Sequence, residues 1–151
     1  MHLKDHFSKF TQLYPLQAKS SAEVAMRMSE WIGAFELPTI VQADNGKEFK
    51  GVLKLLLLLH GVKIINGRPR TPRTQELIEQ ANKIVKEKIL TWKLENGLSG
   101  WAVGLPACVL AINRTVQRAI KTTLYQMVYG REMRRFEILL VAMRERAQIE
   151  E

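Results

Sequence analysis

Cysteine is nearly missing from this chain. Cys108 is the only one, on the apolar stretch "LPACVLAIN", and the histidines are just three, at His2, His6 and His60. A disulfide framework is therefore excluded, no cysteine–histidine set has zinc spacing, and a lone thiol on an apolar segment reads as core filler. Long apolar runs are lacking as well. The longest, "VLKLLLLLHGV" from Val52 to Val62, is broken by Lys54 and falls short of the ~20 residues that a bilayer-spanning helix needs. The opening "MHLKDHFSKF" has no basic-then-apolar signal pattern, so the expected location is nucleus or cytoplasm, not secreted, with no membrane partner. Acidic residues are in deficit: 15 against 23 Lys and Arg, a net charge of +8. Such an excess favours a polyanion, because cationic side chains release the counterions condensed on nucleic acid.

What is present suffices for one globular core, since the 151 residues are 46% hydrophobic. "HLKDHFSKFTQLYPLQ" (2–17) predicts two short strands joined by a Ser-Lys turn. Ser20-x-x-Glu23 is a capping-box signature ahead of a helix that carries Val24, Met28, Trp31, Ile32 and Phe35 at helical spacing and stops at Pro38. "TIVQAD" (39–44) reads as a buried strand feeding an Asn45-Gly46 turn. "KEFKGVLKLLLLLHG" reads as one helix ended by Gly61. Leu55 to Leu59 cover every face of it, so some leucines must be exposed or meet another subunit. "VKIIN" (62–66) is a further strand. "GRPRTPRTQ" (67–75) is an extended basic loop, after which Thr74 is the expected cap of a long helix. Pro106 is expected to kink or delay the next helix, "TTLYQMVYG" and the charged tail look helical, and strand–helix alternation argues for an α/β domain of three layers, with helices on both sides of a mixed sheet.

The long helix has two distinct faces. Ile78, Ala81, Val85, Ile89 and Trp92 make an apolar stripe, while Glu79, Asn82, Lys83 and Lys86 share another face. On its own, that second face is what any solvated helix with i, i+4 ion pairs would present. Asp44 alters the weighing. It ends a strand, where open α/β sheets place their ligand sites, and Glu79 follows 35 positions later. Two carboxylates from separate elements suit a hard divalent cation such as Mg²⁺ or Mn²⁺. Between Lys63 and Lys93 eight Lys/Arg face three Glu, a local excess of +5, which favours phosphate contacts over base reading.

"QADNGKEF", "GRPRTPRTQELIEQANK" and "VYGR" resemble the catalytic core of retroviral and Ty3/gypsy-type retrotransposon integrases, a ribonuclease-H-like fold. The wording is nearest to host-domesticated vertebrate copies of it. The resemblance covers residues 1–131 as the core-like domain and leaves 132–151 as a charged helical tail. It implies a DNA partner, a possible homodimer, and an acidic triad that holds two metal ions for strand cleavage and transfer. Asp44 matches the second triad member and Glu79 the third, both as metal ligands and catalytic residues. Asn82, Lys83 and Lys86 match the DNA-facing side of the same helix, and Arg68, Arg70, Arg73 and Gln75 match the mobile loop beside the site.

The first triad member is the point of departure. Asp5 in "KDHFSK" is tempting, but the resemblance puts this aspartate on the family's second strand. It stands only 39 positions before Asp44, too close for the first member. The expectation is a core truncated at its N-terminus, lacking the first strand and its ligand, which binds nucleic acid without catalysis. An active Mg²⁺- or Mn²⁺-dependent polynucleotidyl transferase, with Asp5 or Glu48 standing in, is the first alternative, and a poorly folding element fragment the second. Glu76 also replaces a usual glycine, bringing a like charge three residues from Glu79. The Asp44–Glu79 interval is about one residue shorter than common, and Leu124 replaces a usual proline.

Overall fold

Two strands open the chain: β1 (His2–Lys4) and β2 (Thr11–Leu13) form an antiparallel hairpin with His2 opposite Leu13 and Lys4 opposite Thr11. The structure, a computed structural model, describes residues 1–43, 46–66, 72–96, 100–118 and 120–134, with the backbone alone at 66 and 72–78. The hairpin turn is closed by backbone bonds from Asp5 N–H to the Phe10 carbonyl (2.9 Å) and from Lys9 N–H to the Asp5 carbonyl (3.0 Å). These are the two strands the alternation predicts.

Helix α1 (Ser21–Phe35) begins where the capping box puts it, with the Ser20 hydroxyl accepting from Glu23 N–H at 3.2 Å. The reciprocal half of the box is diverted. The Glu23 carboxylate accepts instead from the N–H groups of Gln17 (2.7 Å) and Ala18 (2.8 Å), tying down the segment that leads into the helix. Val24, Ala25 and Met28 form its buried face.

Strand β3 (Ile40–Ala43) pairs in parallel with β4 (Lys63–Asn66). The expectation of a buried strand fails here, because Ile40 is 51% exposed. Among the described strands β3 has a ladder partner on one side alone. The single helix expected after the Asn-Gly turn is also divided. Lys47–Phe49 form one 3₁₀ turn, Gly51 takes φ +66°, and α2 (Val52–Leu59) starts beyond it. A left-handed residue cannot continue a right-handed helix, and glycine adopts that conformation without strain. Within the leucine run Leu57 is 2% exposed and Leu59 75%, as a run covering all helix faces requires.

Helix α3 runs from Pro72 to Asn96. It starts two residues before the expected Thr74 cap, because proline suits a first helical position, where no intrahelical N–H bond is needed. Helix α4 (Leu105–Asn113) likewise holds Pro106 within its first turn, where it causes no kink. A short antiparallel ladder, β5 (Val116–Gln117) with β6 (Thr122–Thr123), leads into α5 (Leu124–Tyr129), which Thr123 caps by accepting from Gln126 N–H. The described strands thus form three two-stranded ladders. Residues 135–151, most of the expected tail, lie outside the described residues.

Two compact units can be distinguished. One comprises Tyr14–Ile78 with Met1, the other residues 2–13 and those from Glu79 onward. The first buries Val24, Ala25, Met28, Leu53, Leu57 and Val62. In the second, Leu13, Leu105, Cys108, Val109 and Ile112 cluster, and Val85, Ile89 and Trp92 of α3 pack against them. These three are members of the predicted apolar stripe. Gly104 permits the approach, since a Cβ there would lie 2.4 Å from the Trp92 ring.

Candidate nucleic-acid interface and carboxylate site

Once Val85, Ile89 and Trp92 turn one face of α3 to the core, the helical period leaves the rest of its circumference, the flank beside that stripe included, to solvent. Glu79, Asn82, Lys83 and Lys86 are all exposed there. Lys83 approaches Glu87 at 4.0 Å, the outer limit of an ion pair between two exposed side chains, and such a pair is worth little. Among the described residues the Glu79 carboxylate makes no hydrogen bond or ion pair. Asn82 is held on one side, its Oδ1 lying 3.1 Å from Nδ1 of His2 on β1. Sequence reasoning missed this link. No local spacing connects residues 80 positions apart, and the only signal was a histidine on the strand that opens the chain.

Both substitutes for a third acid are otherwise engaged. The Asp5 carboxylate accepts from the backbone N–H and the hydroxyl of Ser8, each at 2.6 Å, closing the hairpin turn. Partial burial pushes its carboxyl up, but the Ser8 bonds and further backbone donors from Phe7 and His6 outweigh that, and the net shift is downward. Glu48 is buried in the 3₁₀ turn and takes the Lys19 ammonium at 2.8 Å. That ammonium, together with backbone hydrogen bonding, holds the Glu48 carboxyl below its usual range. Among the described residues no three His, Cys, Asp or Glu side chains converge in a metal-binding group.

Asp44, Arg68 and Arg70 lie outside the described residues. Arg73 and Gln75 fall on the first turns of α3, of which the backbone alone is described. Among the described residues, no helix is long and apolar enough to cross a membrane.

In solved structures the architecture recurs. The HTLV-2 integrase catalytic core domain in complex with magnesium matches with a TM-score of 0.71 at 17% identity, over 85% of this chain and 91% of that one. The BIV integrase catalytic core domain matches with a TM-score of 0.72 at 16% identity, over 85% and 84%. The chain has the fold of a retroviral integrase catalytic core. A simian T-cell lymphotropic virus intasome in complex with a PP2A regulatory subunit contains a chain with this fold (TM-score 0.76, 18% identity, 89% of this chain and 49% of that one).

Curated relatives agree with the integrase-core reading. Human KRAB-A domain-containing protein 2 is 27% identical over 132 residues, 86% of this chain and 27% of its own length. The Pol polyprotein of feline endogenous virus ECE1 is 29% identical over 128 residues, 83% of this chain and 12% of its own. No family model matches. The chain therefore spans about a quarter or less of the length of these relatives. Within the integrase-core fold, a feature that sequence reasoning gave no role is Asn113. Buried at 1% exposure, it donates from Nδ2 to the Thr11 carbonyl (2.8 Å) and accepts at Oδ1 from Thr11 N–H (2.9 Å). A side-chain amide here pairs with the backbone of β2 much as a neighbouring strand would.

Proposed function

We propose that these residues form an integrase-derived DNA-binding domain, of the host-domesticated kind and acting in the nucleus, that does not catalyse strand transfer by itself. The observation that carries this reading is the contrast between carboxylates. Asp5 and Glu48 are engaged within the chain, whereas Glu79 stands exposed beside Asn82, Lys83 and Lys86. Lys83 and Lys86 offer ammonium groups to phosphate oxygens, and the arginines at 68 and 70, ahead of α3 in the sequence, and at 73 add positive charge. Binding of this kind is driven by counterion release, weakens steeply with salt and reads little sequence.

By the resemblance in their motifs, Asp44 and Glu79 would be the residues to hold Mg²⁺ or Mn²⁺, carboxylates being the hard oxygen donors such ions take. When bound, such an ion supplies Lewis-acid stabilisation of a phosphoryl oxygen. A third carboxylate is what the integrase reaction additionally calls for, and neither Asp5 nor Glu48 is free to provide it.

A salt titration of duplex DNA binding tests the reading. Affinity at low salt that falls linearly on a log–log plot is expected, and no binding at low salt overturns it. A strand-transfer assay with Mn²⁺ tests the lack of catalysis. Joining that disappears on Asp44→Asn or Glu79→Gln would establish the enzyme instead. One further feature supports self-association: Val52, Leu55, Leu58 and Leu59 of α2 are all exposed, more apolar surface than one short helix ordinarily shows to water. A second copy of the chain is the partner proposed for it. Sedimentation of wild type against Leu59→Glu decides this, since a monomeric wild type would remove the homodimer.

A further inference from the structure

The contact between β1 and α3 carries a consequence for the interface just proposed, and the inference rests on that reading. Asn82 is exposed, yet its Oδ1 is the atom that faces His2 Nδ1, at 3.1 Å. A carbonyl oxygen accepts only, so this bond requires the proton on Nδ1. The other ring nitrogen, Nε2, is buried and has no partner among the described residues. With the proton on Nδ1, Nε2 is left as a bare acceptor, whereas the opposite tautomer would bury an unsatisfied N–H, the rarer and more costly defect. Burial also pushes the imidazole below its ordinary range, with the Asn82 bond pulling the other way, which favours the neutral ring.

We propose that His2 is a positioning residue for nucleic-acid binding: its Nδ1–H occupies the Asn82 carbonyl, so that the exposed amide presents N–H donors alone to a phosphate oxygen, beside Lys83 and Lys86. An unpinned asparagine would offer a donor and an acceptor with equal ease, and the acceptor is repelled by phosphate. The hydrogen bond to His2 fixes which end faces outward and removes rotamer freedom that binding would otherwise have to freeze. Asn82 thereby joins the two ammonium groups as a directional contact within an otherwise non-directional patch.

The test uses the full 151-residue chain and has two readouts. Imidazole nitrogen NMR near neutral pH is expected to find His2 neutral with Nδ1 protonated. An Nε2–H ring or an imidazolium overturns the proposal whether or not DNA binds. Fluorescence anisotropy with a labelled DNA duplex at low salt then compares wild type, His2→Ala, Asn82→Ala and the double variant, each checked by thermal melting. Each single substitution is expected to weaken binding about fivefold, the worth of one hydrogen bond, and the double variant no more than either single one. Asn82→Asp, which presents acceptors only, should bind more weakly than Asn82→Ala. Losses that multiply in the double variant, or a His2→Ala chain that binds like wild type, overturn the inference and leave the basic face standing. A wild-type chain that fails to bind DNA at all removes the interface and His2's role together.

Discussion

At the hairpin turn and along β2, Asp5 and Thr11 are matched within the chain: Asp5 accepts twice from Ser8, and Asn113 holds both backbone groups of Thr11. Along the solvent-facing side of α3 the charged groups are not, for Glu79, Lys83 and Lys86 are exposed, and among the described residues the one ion pair on that side is a 4.0 Å approach of Lys83 to Glu87. The two regions teach the same rule from opposite sides. A polar side chain whose bonding capacity is filled internally specifies the fold, and one whose capacity stays open is available to a ligand. Removing the first kind should lower stability and leave affinity per folded molecule intact, whereas removing the second should do the reverse.

The largest effect expected is that of Asn113→Ala, which strands a buried N–H and a buried carbonyl on Thr11. A loss of about 2–5 kcal/mol in denaturant unfolding follows from two unsatisfied groups, and a loss below about 1 kcal/mol would break the comparison. Next is Gly104→Ala, where the new methyl meets the Trp92 ring. Overpacking of that kind costs about 1–3 kcal/mol, and near-UV circular dichroism should register the displaced indole. On the opposite side, Lys83→Ala with Lys86→Ala should reduce the salt slope of DNA binding by about 2. Its unfolding free energy should change by no more than about 0.5 kcal/mol.

Smaller still is the acid response of the hairpin. The Asp5 carboxyl is held below its ordinary range, so its contribution to stability is complete above about pH 4 and is lost as pH falls through the depressed folded value. Amide exchange at Ser8 should quicken at that acid end in wild type, and Asp5→Asn should flatten the response. The smallest effect expected is Glu79→Gln, which should leave stability unchanged within about 0.5 kcal/mol. A larger destabilisation would show that Glu79 belongs with the structural carboxylates, and the contrast between the two regions would fail.

Much of the fold was legible from local patterns. The Ser20–Glu23 cap, the hairpin and the apolar stripe through Val85, Ile89 and Trp92 each depend on residues a few positions apart, and spacing in sequence maps directly onto a helical or extended period. Reading failed where a single residue redirected the backbone: Gly51 divided the leucine helix, and Pro72 began α3 instead of prolonging a loop. It also failed where exposure depends on ladder partners, as at Ile40 of β3. Of the candidate site, Glu79, Asn82, Lys83 and Lys86 were correctly grouped on one exposed helix face. The hold of His2 on Asn82 was invisible.

By itself the sequence determined the excess of positive charge around α3, the helix faces, and the motifs by which the chain resembles an integrase core. Tertiary structure alone decided which carboxylates are engaged and which stay open. Glu48 and Glu79 are both acids in recognisable motifs, and nothing in their composition tells them apart. Glu48 is bound by Lys19, which folding brings within 2.8 Å, and Asn113 reaches Thr11 across 102 positions. Such pairings form only when packing brings the groups within hydrogen-bond distance, a range of about 3 Å that separation along the chain does not encode.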